Sequence, residues 1–188
     1  MVGLENNLKM KKGVLILGII VIGLIAFVQL KKRETSADFL AKEFVEIEKL
    51  FEKRDFSNYE VSEANVAWHL DHMLKTINQV SKKLIDSDPN TFRTNFSPQR
   101  TFVHTSGIIP RGAAESPQNV RPPEVVLLDS LESQLKLAKI NLKKIADLNE
   151  KANFKHPVFK QLDRDQTRRF LDVHTNHHLK IIRDILED

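Results

Sequence analysis

Seven histidines carry what chemistry this chain can offer, and they are not scattered. His69 and His72 lie three residues apart, and His174, His177 and His178 fall within five residues. His104 and His156 stand alone. On a helix, the i, i+4 spacing of His174 and His178 puts both imidazoles on one face, about one turn apart. That arrangement is a common two-histidine grip on a divalent metal. No cysteine is present. A disulfide framework, a thiolate zinc site and a cysteine nucleophile are therefore excluded, and any metal must be held by imidazole, carboxylate or water.

The elements that must position these histidines read as helices. Leu40, Phe44, Ile47 and Phe51 recur at helical spacing and predict a first helix over 35–55, capped by Thr35 or Ser36. Val66, Leu70, Met73, Leu74, Ile77, Val80 and Leu84 predict a second over 62–85, with Ser62 as its cap. Leu128, Leu131, Leu135, Leu142 and Ile145 predict a third over 124–149, and Asp163 with Gln166 forms a capping box opening a fourth that ends near 186. Residues 87–123 hold six of the seven prolines and read as irregular. The expected fold class is all-α, an up-and-down four-helix bundle spanning 34–188.

A helical wheel on the second helix ranks its two histidines. With Leu70 at zero, the apolar stripe centres near about −30°, His69 falls at about −100° and His72 at about −160°. His69 is thus placed at the edge of the buried face. His72 is placed nearly opposite it and needs another element to cover that side. The fourth helix buries Phe170, Ile181 and Ile185, with His174 on that stripe and His178 beside it. The expected metal ligands are His69, His174 and His178, with His72 and His177 as alternatives. Three protein ligands leave a position for water or substrate. Imidazoles without thiolate suit a divalent ion, zinc or nickel first. Arg111 and His156, from the two longer connections, are expected to border the site. Their plainer roles are a loop salt bridge and a turn before the last helix.

Ahead of the bundle, Gly13 to Leu30 reads GVLILGIIVIGLIAFVQL, apolar but for Gln29 and flanked by lysines. Such a run predicts a single-pass anchor within residues 1–33, spanning about 13–30. The flanking charges nearly tie, with a slight preference for an extracytoplasmic domain. Beyond residue 33 the chain carries 23 basic and 24 acidic residues, so the net charge of +4 belongs to the N-terminal segment. A near-neutral domain gives no footing for nucleic-acid binding.

Four stretches carry a family resemblance. HTNHHLKII (174–182) resembles the last-helix signature of the DinB-like metal-binding superfamily, and VSEANVAWHL (61–70) resembles its second-helix signature, with Val61 where an aromatic is usual. GIIPRGAAESPQNVRPPE (107–124) and KHPVFKQLDRDQ (155–166) resemble the PRG loop and the HPxFG segment of an uncharacterised branch, with Lys160 in place of the glycine. The resemblance spans residues 35–186 and implies a four-helix bundle with a metal at one end, held by His69, His174 and His178. Characterised members of the superfamily include thiol-dependent transferases and isomerases, but the resembled branch implies no particular reaction. The open position on the metal leads to the expectation of a metal-dependent transferase or hydrolase acting on a small molecule or a thiol cosubstrate. The rival is a tethered, non-enzymatic metal-binding or interaction module.

Overall fold

The computed structural model describes residues 15–21, 23, 39–112 and 115–187. The chain divides into two compact units, Met1–Glu34 and Thr35–Asp188. In the second unit, helices α1 (Ala41–Leu50), α2 (Val66–Ile85), α3 (Pro98–Ser106), α4 (Leu128–Ala146) and α5 (Arg164–Glu187) alternate with short 3-10 turns and one hairpin. The hairpin strands are β1 (Phe154–His156) and β2 (Lys160–Leu162), antiparallel with Phe154 opposite Leu162.

Helix α2 is the axis of the packing. It lies against α4 and α5, while α1 packs on both of them as well. Leu70, Met73, Leu74, Ile77 and Leu84 of α2 meet Leu131, Leu135, Leu142 and Ile145 of α4 and Leu171, Leu179 and Ile182 of α5 in one apolar cluster. Full burial of each such side chain contributes about 1.5–3 kcal/mol. A buried polar pair sits between α2 and α4: Asn141 Nδ2 donates to Asn78 Oδ1 at 3.0 Å.

Capping chemistry sets the ends. Asn65, not Ser62, caps α2, its side chain accepting from the Trp68 N–H at 2.9 Å. Asp163 accepts from the Gln166 N–H at 2.8 Å, and the Gln166 side chain reaches back to the Asp163 N–H at 3.4 Å. This is the reciprocal pair that opens α5. The expected caps of the first helix, Thr35 and Ser36, lie outside the described residues. Helix α1 begins at Ala41 and has no side-chain cap.

The structure corrects the expected architecture on two points. First, among the described residues no helix is long and apolar enough to cross a membrane. Residues 15–21 are helical, about 10 Å of rise against a hydrocarbon core of about 30 Å. The rest of the expected span 13–30 lies outside the described residues, apart from residue 23. The single-pass anchor and the localisation drawn from it are not supported.

Second, the stretch 87–123, expected to be irregular, and the connection before the last helix both contain structure. Helix α3 starts where Ser97 accepts from the Arg100 N–H at 3.3 Å, with Pro98 in the first turn, and stops at Gly107 in the left-handed region (φ 71°). Proline breaks helices in their interior, yet its fixed φ and missing N–H suit the first turn. Lys160, which opens β2 after the turn, has φ 63° and is the only positive-φ residue other than glycine among the described residues.

Candidate metal centre

Four of the histidines converge at one end of the α2–α5 contact. His72, His174 and His178 each present one ring nitrogen, and these three atoms lie within 4.8 Å of one another. This three-histidine cluster can hold a metal ion. His72 Nε2 stands 3.3 Å from His174 Nε2. Two nitrogens on one tetrahedral zinc, at about 2.0–2.1 Å each, are about 3.3 Å apart. The donor spacing therefore fits a shared cation.

The neighbourhood of each ring sets its tautomer. His72 Nδ1 lies 3.0 Å from the Val120 carbonyl. A carbonyl only accepts, so the proton sits on Nδ1 and the Nε2 lone pair faces His174. Trp68 stacks on the other side of that ring, 5.0 Å between centroids and 19° between planes. His69 Nδ1 lies 3.0 Å from His178 Nδ1, and His69 Nε2 lies 3.0 Å from Ser62 Oγ. His174 Nδ1 is buried with no hydrogen-bond partner among the described residues. An orphaned, buried ring nitrogen fits a site organised around something other than protein–protein hydrogen bonds.

Burial holds these rings neutral. It is the first cause of the lowered pKa of His72, reinforced by Lys75 and opposed by the Val120 carbonyl and by Asp71. Burial, then the neighbouring histidines, pushes His174 and His178 well below the usual imidazole range. His69 is lowered to about 4, again mainly by burial. Neutral imidazole is the ligand form, so no proton need leave these rings at pH 7 before a cation binds.

The sequence ranking and the geometry differ over α2. His72 is 4% exposed although the wheel put it nearly opposite the core. The reason is the 3-10 turn Gln118–Val120, which packs on α2 and covers that side. Proline content disguised this turn as a loose loop. His69, ranked first, is equally buried and touches the cluster through His178. His177 lies outside the three-donor group, its ring 5.0 Å from that of His178. Asp71 is engaged by Lys75 at 2.7 Å and by Gln134 at 2.7 Å, and Asp172 by Arg169 and Asn176.

No family model, curated protein or solved structure matches the chain.

The cluster forms part of the wall of a cleft of about 930 Å³. Val61, Trp68, Ile109, Phe154, Val158 and Phe170 give the cleft an apolar lining. Arg111 and His156 line it too, and each also has the plainer role expected of it. Arg111 pairs with Asp184 of α5, which ties the 107–112 loop to that helix. His156 Nδ1 accepts from the N–H groups of Val158 and Phe159, both at 3.1 Å, and so closes the hairpin turn. Its ring stacks on Phe159 at 4.4 Å.

Proposed function

We propose that this chain is a divalent-metal-binding helical protein of DinB-like type, with His72, His174 and His178 as ligands, and that it acts as a metal-dependent transferase or hydrolase. The observation that carries the reading is the three-nitrogen cluster at the wall of a large apolar cleft, with His72 locked by Val120. The donor set, imidazole without thiolate, suits zinc or nickel. A divalent ion there supplies Lewis acidity toward a bound water, thiol or carbonyl.

The chain's own residues do the rest. Trp68 and Phe170 offer flat apolar surface to a small-molecule substrate or thiol cosubstrate. The hairpin turn around Pro157 and the 107–112 loop form part of the cleft wall. Four sequence motifs in DinB-like order, covering 35–186, support the family reading.

A metal-binding module without turnover is the second reading. It is favoured by Asp71 and Asp172, the carboxylates beside the ligand helices' histidines in sequence, which are engaged by Lys75 and Gln134 and by Arg169 and Asn176.

The two readings separate in one assay. Full-length protein, stripped with chelator and reloaded with zinc or nickel, is offered thiols with electrophilic small molecules and, separately, simple esters and amides. Metal-dependent turnover that disappears in His174→Ala supports the enzyme. Stoichiometric metal without turnover supports the module. No metal uptake overturns both.

A further inference from the structure

Two consecutive contacts lead away from the cluster, from His178 to His69 to Ser62, and both measure 3.0 Å. Their polarity is decided by which end is fixed. With His178 holding a cation through Nε2, its proton sits on Nδ1 and donates to His69 Nδ1. His69 then carries its own proton on Nε2, which donates to Ser62 Oγ. Ser62 Oγ also accepts from the Ala64 N–H at 3.2 Å. With both lone pairs occupied, the serine hydroxyl directs its own proton elsewhere. Ser62 lines the cleft, so that proton is placed to reach a cleft ligand.

We propose that His69 is a positioning residue, not a ligand: together with Ser62 it fixes the tautomer and orientation of His178 so that Nε2 faces the cation. This assignment rests on the metal-binding reading above. It gives His69 and His72 different tasks on the same helix. His72 is a donor oriented by the Val120 carbonyl, and His69 is the acceptor that orients His178. Each of these two ligand rings thereby has one nitrogen engaged outward, the arrangement in which an outer partner fixes the ring and raises its basicity. The burial of His69, 4% exposed, matches a role inside the wall of the cleft.

The test uses full-length, 15N-labelled protein loaded with zinc. Long-range proton–nitrogen spectra of the imidazoles report which nitrogens carry protons and which carry metal, with no substitution needed. The expected result is metal on Nε2 and a proton on Nδ1 of His178, with His69 metal-free and protonated on Nε2. Zinc affinity, measured by chelator competition, should fall about 10–100-fold in His69→Ala with stoichiometry unchanged, the range for loss of an outer partner. His69→Asn, which puts an acceptor oxygen near the lost Nδ1, should recover most of it.

A metal-bound nitrogen on His69, or loss of stoichiometric zinc in His69→Ala, makes His69 a ligand and overturns the proposal. Unchanged affinity in His69→Ala overturns it as well. No zinc uptake by the wild type overturns the metal reading and this assignment together.

Discussion

His72 donates its Nδ1 proton to the Val120 carbonyl across 3.0 Å. A turn in the proline-rich connection thereby aims a ring on α2. The contact is made by main chain, so its strength depends on how firmly the turn is seated. Val120 is 6% exposed and anchors it. Val120→Ala is expected to loosen the turn and weaken zinc binding several-fold without changing the one-to-one ratio. Isothermal titration of the two proteins measures this. Equal affinities would mean that the Val120 side chain does not hold the turn.

Among the histidines of the last helix, geometry separates ligands from bystanders. His178 belongs to the three-donor group and His177 does not. His178→Ala should abolish tight metal binding, and His177→Ala should retain one equivalent with affinity within a few-fold of wild type. Metal content after gel filtration gives the comparison. Loss of metal in His177→Ala would require a different ligand set.

His104 and His156 are half-buried and outside the three-donor group, and both are lowered from 6.5 to about 4, chiefly by desolvation. In the unfolded chain the same rings protonate near 6.5. Below that value the unfolded state binds more protons than the folded one, so stability falls as pH falls. The contribution is complete above about 6.5 and is progressively lost from there down to about 4. Urea unfolding of metal-free protein should show a midpoint that declines across this window, with a shallower decline in His104→Leu. An unchanged slope in the variant would contradict the account.

Lys160 holds a left-handed backbone (φ 63°) at the start of β2, with its Nζ donating to the Phe96 carbonyl at 2.9 Å. A side chain in that region costs about 1–2 kcal/mol, while glycine enters it freely but loses more entropy on folding. The exposed lysine bond offsets little. Lys160→Gly is therefore expected to stabilise the domain by about 0.5–1 kcal/mol, seen as a higher urea midpoint at unchanged slope. Destabilisation would show that the lysine bond outweighs the strain.

Helical periodicity was sufficient to locate α2, α4 and α5, because their apolar residues face one continuous core. The Asp163–Gln166 box marked the start of α5 through purely local chemistry. Helix α3 was hidden because Pro98 and Gly107 look like breakers when they are in fact its first turn and its stop. The hairpin escaped notice because three-residue strands leave no alternation to read. At the site, the i, i+4 pair His174 and His178 was visible from spacing alone. His72 was underrated because a wheel describes one helix, and the turn that buries His72 comes from 48 residues further along the chain. The apolar run 13–30 was read as a membrane span on composition, and no described helix is long enough to fulfil it.

Metal content decides the central claim. Full-length protein purified without a histidine tag, saturated with zinc and freed of excess, is expected to retain one zinc per chain, and His174→Ala none. Zinc at well under one equivalent in the wild type, or an undiminished equivalent in His174→Ala, would contradict a centre built on His72, His174 and His178.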